Sequence, residues 1–103
     1  LRLVLSSKIY ADLRMVVIPG WNDGEAVASS VAASLRDAGY VAKASRGEAS
    51  LTLMEFVPDH AGLEVLRKAS NTSVDTLRRI ASQMRLPRVY LTHRVLGSYV
   101  PAD

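Results

Sequence analysis

The sequence predicts a small α/β domain with the order β-α-β-α-β, mainly parallel strands and a partial, barrel-like arrangement. Three apolar segments, residues 9–18, 51–57 and 88–95, have the composition of strands. Two amphipathic segments between them have helical spacing. Helices of about four turns between strands favour parallel crossovers over hairpins. An α+β, ferredoxin-like fold remains the alternative.

Length and composition set the limits of this domain. The 103 residues suffice for one small α/β domain or domain fragment covering residues 1–103, and 49% of them are apolar. The absence of cysteine excludes disulfides, Cys-ligated zinc, thiolate nucleophiles and a protein-ligated iron–sulfur cluster. It fits a reducing compartment, so we expect a cytoplasmic location. No apolar run approaches the roughly 18–20 residues of a membrane span.

The first long strand ends in the most informative motif of the chain. Residues 1–5 are apolar and fit either a strand or the last turns of a helix. The apolar run that ends at Ile18 is typical of a strand covered on both faces. Pro19 and Gly20 end it. We expect Asn22 or Asp23 to cap the following helix.

That helix is predicted over residues 24–38. Its apolar positions recur four, four and three residues apart and form one stripe, Val27, Val31, Leu35 and Ala38. Gly39 follows where a left-handed C-cap is favoured. Residues 40–44 are predicted as a short strand, and residues 45–48 as a polar turn. The second long strand, residues 51–57, is ended by Pro58.

The last third of the chain predicts a helix and a strand. Residues 61–69 fit a weak helix or an irregular segment. Thr72 or Ser73 caps the next helix, and Pro87 ends it. Its buried stripe is predicted to be Val74, Leu77, Ile80, Ala81 and Met84. Residues 88–95 form the last strand, and residues 97–103 are predicted to fray.

Candidate site residues are few. The two histidines have no metal-ligand spacing. His60 follows a strand end, whereas His93 lies inside the last strand and is interpreted as a surface or edge-strand residue. Glu55 is an acid within an apolar strand and needs a partner, for which Arg14 is the candidate. Asp59 is the other candidate acid. Trp21 either stacks on a ligand or covers the rim of the sheet.

Basic residues are concentrated in one part of the chain. Between residues 67 and 94 there is a single acid, Asp75, among seven basic residues: Arg67, Lys68, Arg78, Arg79, Arg85, Arg88 and Arg94. Such a stretch either attracts phosphate or forms a solvated helix face with a loop. Aromatic residues are not interleaved with these arginines, which disfavours stacking on single-stranded nucleic acid.

One segment resembles a known family. Residues 13–23, Leu-Arg-Met-Val-Val-Ile-Pro-Gly-Trp-Asn-Asp, look like the sixth-strand segment of radical S-adenosylmethionine activating enzymes of the pyruvate formate-lyase activating group. Residues 51–56 are similar to the strand that follows in that family. Residues 76–94 would supply its last helix and strand, so the resemblance covers most of the chain in the right order.

The resemblance implies a barrel segment that forms part of a cofactor site. Val16 or Val17, together with His60, would lie near the adenine of S-adenosylmethionine. The family's three-cysteine loop and glycine-rich segment are absent, so this chain alone is expected to hold no cofactor and to catalyse nothing. The sequence also departs from the family at Glu55, where the family often has proline, and at His60, which comes about three residues late.

Two functions therefore remain open. The first is the C-terminal barrel segment of a radical S-adenosylmethionine activase-like protein. The second is a free-standing α/β module that binds nucleic acid or a protein through Arg67, Lys68, Arg78, Arg79, Arg85 and Arg88. Three strands leave sheet edges exposed. Either hypothesis expects the rest of a barrel or a second copy of the chain to cover them, and neither expects a membrane partner.

Overall fold

The structure, a computed structural model, describes residue 5, residues 8–57 and residues 71–103. Its elements in chain order are β1 (Ala11–Val17), α1 (Glu25–Asp37), α2 (Tyr40–Ser45), β2 (Ala49–Glu55), α3 (Val74–Met84), β3 (Val89–His93) and β4 (Gly97–Pro101). Among the described residues, no helix is long and apolar enough to cross a membrane.

The four strands form one mixed sheet in the order β1-β2-β3-β4. β1 pairs with β2 in parallel, β2 with β3 in parallel, and β3 with β4 in antiparallel. The prediction of an α/β domain with mainly parallel strands is confirmed. The four described strands do not close into a barrel. The ferredoxin-like alternative is wrong, because such a sheet is antiparallel and these first three strands run in the same direction.

The two faces of the sheet differ in character. On the first, apolar side chains of the parallel strands meet α1 and α3, which pack on each other. Register puts the side chains of Leu13, Leu51 and Val89 on this helix face. The opposite face is called the open face because neither long helix lies on it. It carries Arg14 and its register partner Thr52, which is itself buried. In the part of the chain that the structure describes, both long helices lie on the helix face.

The ends of the helices agree only in part with the sequence analysis. Neither Asn22 nor Asp23 caps α1, whose N-cap is Gly24 without a side-chain hydrogen bond. The Asp23 carboxylate accepts a hydrogen bond from Gly20 N at 3.0 Å and closes the turn instead. Ser73 does cap α3, where its hydroxyl accepts from Thr76 N at 3.1 Å.

The predicted buried stripe of α3 is largely confirmed. Its buried members are Leu77, Ile80, Ala81 and Met84, whereas Val74 is half-buried. The helix ends at Arg85, which takes a left-handed conformation with φ 52°. The weak helix predicted over residues 61–69 lies outside the described residues.

Residues 40–44 are helical, so the short strand predicted there is wrong. Gly39 takes the expected left-handed conformation, φ 99°, and this reversal starts α2 directly after α1. The helix is held by Tyr40, which is fully buried and donates a hydrogen bond to Pro87 O at 2.7 Å. Tertiary contact therefore overrides the local preference of an aromatic and β-branched pair.

The C-terminal residues are ordered, so the predicted fraying of residues 97–103 is also wrong. A tight turn follows β3, and β4 returns along its outer edge, where Ala102 N donates to Val89 O at 3.0 Å. The sequence of β4 contains glycine and proline and does not predict a strand. It forms one because the outer edge of β3 offers unpaired peptide groups as hydrogen-bond partners.

Candidate functional site at the carboxyl edge

The three parallel strands end at one edge of the sheet. β1 ends at Val17, β2 at Glu55 and β3 at His93. Ligands of α/β sheets and barrels bind at this carboxyl edge. The polar groups at these three strand ends are therefore the first place to look for a site.

Thr72 connects β1 and β2 just beyond their last ladder hydrogen bonds. Its hydroxyl accepts from Phe56 N at 2.9 Å and donates to Val17 O. The side chain is only 1% exposed. Because both peptide groups would otherwise lack partners in a buried place, Thr72 fixes the separation of the two strand ends.

His93 is held by hydrogen bonds at both ring nitrogens. Its Nδ1 accepts from Val95 N at 3.1 Å, so the neutral ring carries its proton on Nε2, which lies 2.9 Å from Thr72 O. The residue is 7% exposed. The interpretation of His93 as a surface or edge-strand residue is therefore wrong, because its side chain points to the helix face and β3 lies between β2 and β4.

Glu55 completes this cluster. Its Oε1 accepts from Arg94 N at 2.6 Å, and its Oε2 lies 3.3 Å from His93 Nε2 and 3.6 Å from Arg94 Nε. The side chain is 9% exposed, and among the described residues Oε2 accepts no hydrogen bond. The carboxylate is thus held by one strong hydrogen bond and two longer electrostatic contacts.

The predicted partner of Glu55 is wrong. Arg14 forms its ion pair with Asp12, at 2.9 Å. Register explains why, because Glu55 pairs with Val17 on the helix face and Arg14 pairs with Thr52 on the open face. Asp12 also raises the pKa of Arg14, chiefly through this hydrogen bond.

Asn22 blocks part of the outer edge of β1. Ala11 N donates to Glu48 O, at the start of the ladder between β1 and β2. Because the N–H and C=O groups of alternate residues point to opposite sides of a strand, those of odd-numbered residues of β1 face β2 and those of even-numbered residues face outward. At the end of that edge, Asn22 Nδ2 donates to Val16 O at 2.9 Å and Asn22 Oδ1 accepts from Ile18 N at 2.7 Å. The side-chain amide takes the place of a neighbouring strand's peptide group.

The rest of this edge adjoins an apolar groove. It has a volume of about 400 Å³ between β1 and α1. Its apolar lining comprises Leu13, Met15, Val27, Val31, Leu35 and Leu51. Beside it, the outward peptide groups of Asp12 and Arg14 belong to the edge strand of the described sheet.

The open face carries tyrosines and arginines. The guanidinium carbon of Arg14 lies 5.8 Å from the ring centre of Tyr99, and that of Arg88 lies 5.9 Å from the ring centre of Tyr90. Tyr10 donates to Ser50 Oγ at 2.9 Å. The pKa of Tyr10 is lowered, because the Ser50 hydroxyl and the Arg88 guanidinium can both donate to the phenolate form.

The two valines that were expected near a cofactor lie on opposite faces of the sheet. Val16 points to the open face and is 45% exposed, whereas the side chain of Val17 is fully buried and its carbonyl is bound by Thr72. His60 and Asp59 lie outside the described residues. Trp21 is exposed beyond the turn.

The basic stretch does not form one surface in the described part of the chain. Arg79 donates to Asp23 O at 2.8 Å, near the start of α1. Arg78 and Arg85 instead line a separate depression, which Arg88 also borders. Arg67 and Lys68 lie outside the described residues.

Two residues of the site were missed from the sequence. Thr72 was considered only as a helix cap and Asn22 only as another, although both bind strand ends. An Asn two residues after a strand-ending Pro-Gly pair is a usable signal, because the amide can both donate to and accept from a strand edge. Among the described residues, no group of three or more His, Asp or Glu side chains could hold a metal ion.

Comparison with models of protein families, with curated proteins and with solved structures found no match to this chain.

Proposed function

We propose that this chain is the C-terminal segment of a radical S-adenosylmethionine activase-like barrel, where it contributes packing and one wall of the cofactor site. The supporting observation is the order of β1, β2 and β3, which are parallel, adjacent in chain order, and covered by both long helices on one face. Barrels have this arrangement, whereas doubly wound sheets reverse their strand order and carry helices on both faces.

The polar open face fits the inside of such a barrel. Val16 lies on it near the carboxyl edge, at the position that the family resemblance assigns to the adenine of S-adenosylmethionine. Val17 points away from this face, so of the two valines Val16 is the one that would contact the cofactor. His60 keeps the role that the resemblance implies. The cofactor's chemistry would come from a cluster held elsewhere.

The edges of the sheet agree with an open barrel. β4 runs antiparallel along the outer edge of β3, which leaves no place there for another parallel strand. On the other side, Asp12 and Arg14 offer outward peptide groups beside the apolar groove. Further strands of the barrel would pair with β1 and fill this groove.

The reading frame upstream of Leu1 tests this proposal. We expect it to encode Cys-x-x-x-Cys-x-x-Cys, and an upstream frame without cysteines would overturn the proposal. In the longer protein, Val16→Glu should weaken S-adenosylmethionine binding about tenfold, which corresponds to roughly 1.4 kcal/mol. Val41→Glu, at an exposed position of α2, is the matched control. The chain alone should show neither cluster absorbance nor cofactor cleavage.

A second candidate function rests on the open face alone. Its tyrosines, each near an arginine, resemble the stacking platforms of single-strand-binding proteins. In that case the chain is a free-standing module whose edges a second copy covers. Oligonucleotide binding that weakens steeply with salt, and a dimer by light scattering, would favour this function over the barrel segment.

A further inference from the structure

A basic depression lies at the amino edge of the sheet, opposite the Glu55–His93 pair. It has a volume of about 370 Å³ and lies between the end of α3 and the loop that leads into β3. Its floor is apolar and includes Ala81, Leu86 and Val89. The volume falls within the range of about 300–1,000 Å³ that is usual for small-molecule sites.

One face of α3 lines this depression with polar groups. Arg78 and Ser82 are four residues apart and lie on the same face of α3. Arg85, the C-cap residue of α3, lines the same depression. In the described part of the chain, Arg78 and Arg85 donate no side-chain hydrogen bond and form no ion pair. Both guanidiniums are therefore available to an anion.

Arg85 is not needed to complete the end of α3. Arg36, from α1, already donates to Met84 O and to Arg85 O at the helix C-terminus. The backbone of Arg85 is left-handed, with φ 52°, at a C-terminal position that glycine occupies with less strain. Arg85 thus keeps a strained backbone conformation although Arg36 already binds the helix C-terminus. The Arg85 side chain is therefore a candidate for a binding role.

The loop after Arg85 is held in place. Arg88 is also left-handed, φ 55°, and its Nε donates to Ala49 O at 3.2 Å while its guanidinium lies over Tyr90. Its side chain thus anchors the loop to the sheet. Leu86 and Val89, which belong to the floor of the depression, are positioned by this anchor.

We infer that Arg78, Ser82 and Arg85 bind the phosphate group of a small phosphorylated ligand whose apolar part rests on the floor. Guanidinium groups bind phosphate oxygens with paired hydrogen bonds, and the Ser82 hydroxyl supplies another donor. Among the described residues no aromatic ring lines the depression, so base stacking plays no part. The site is independent of the proposed cofactor wall, which lies at the opposite edge.

One residue of the depression opposes an anion. Asp103 belongs to its lining, and its carboxylate repels a phosphate group. This gives the site an internal test, because removing that charge should tighten binding, whereas removing a guanidinium should abolish it.

The test is a titration of the chain with phenyl phosphate and with inorganic phosphate, followed by NMR. We expect saturable shifts of the Ser82 amide and of the Arg78 and Arg85 Nε–H signals, with phenyl phosphate binding more tightly because its ring covers the floor. The absence of saturable shifts with phenyl phosphate would overturn the inference, as would equal binding of the two probes.

Variants separate binding from stability. Arg85→Gly should lose the shifts and yet melt at a higher temperature, because it removes a guanidinium and relieves the left-handed strain. Asp103→Asn should bind more tightly. Arg79→Gln, on the same helix but bonded to Asp23 O, should bind like the unaltered chain. Unchanged binding in Arg85→Gly would contradict the assignment.

Discussion

Glu55 Oε2 lies 3.3 Å from His93 Nε2 where β2 and β3 end, and the two side chains are 9% and 8% exposed. These two polar side chains occupy the last positions of β2 and β3 on the helix face, where the preceding residues are apolar. A buried carboxylate is stable only with partners, and removing one of them leaves a charge without compensation. The pair therefore ties the stability of the carboxyl edge to the identity of His93.

We expect His93→Leu to lower the free energy of unfolding by roughly 2–4 kcal/mol, because Thr72 O and Val95 N lose their hydrogen-bond partner and each unsatisfied group costs about 1–3 kcal/mol. Glu55 also loses the nearby imidazole and keeps only its Arg94 contacts. In a Glu55→Gln background the same change should cost less, since no charge remains. Urea denaturation of the two single variants and the double variant measures the difference. Arg94→Gln is the control. Its side chain is 57% exposed, so the loss should stay below about 1 kcal/mol. Equal losses for His93→Leu and Arg94→Gln would contradict this account.

The hydroxyl of Thr72 gives a second, separate prediction. Thr72→Val keeps the shape of the side chain but leaves Phe56 N and Val17 O without their buried partner. We expect a loss of roughly 2 kcal/mol or more in urea denaturation, because each unsatisfied buried group costs about 1–3 kcal/mol. Thr72→Ser retains the hydroxyl and should recover most of the stability. A Ser variant as unstable as the Val variant would assign the effect to packing.

The blocked edge of β1 predicts a change in association as well as stability. Asn22→Ala removes the hydrogen bonds to Val16 O and Ile18 N, which should cost on the order of 1–2 kcal/mol. It also lengthens the open edge, so the variant should self-associate at lower protein concentration by light scattering. Trp21→Ala, at the exposed neighbouring position, is the control. Its stability and association should stay close to those of the unaltered chain.

Periodicity predicted the elements whose burial has a simple period. The apolar spacing predicted that α1 is a helix, but its buried residues are Ala28, Ala32 and Leu35, and the predicted Val27 and Val31 are only half-buried. The apolar runs predicted β1 and β2, although β1 is not covered on both faces, since Asp12, Arg14 and Val16 are exposed. Periodicity did not predict the conformation of residues 40–44 and 97–101, because contacts with residues distant in the sequence determine it. Tyr40 is anchored at Pro87, and β4 exists because β3 offers an edge.

Side-chain parity could have corrected one error at the site. Glu55 follows Leu51 and Leu53 at even spacing and so shares their buried face, whereas Arg14 is one residue from Leu13 and faces the other way. The alternation of side chains along a strand is thus enough to exclude an Arg14–Glu55 pair. The role of Thr72 has no such signal, because it depends on where the chain returns to β1 and β2.

Tyr40 should make the free energy of unfolding decrease with pH in the alkaline range. Its burial raises the pKa of the phenol from 10.0 to about 12, against a smaller opposing effect of the Arg88 charge. Below pH 10 the phenol is protonated in both states, and this contribution to stability is fully present. Between pH 10 and 12 the unfolded chain releases its proton while the folded chain keeps it, so stability falls by about 2–3 kcal/mol.

Urea denaturation at pH 9, 10.5 and 11.5 would reveal this loss, with Tyr40→Phe as the matched variant. The Phe variant lacks the hydrogen bond to Pro87 O and should be less stable at pH 9 by about 1 kcal/mol. Because phenylalanine does not titrate, its stability should decline less steeply above pH 10. The two curves should therefore approach each other as the pH rises, and parallel curves would show that Tyr40 is not the group responsible.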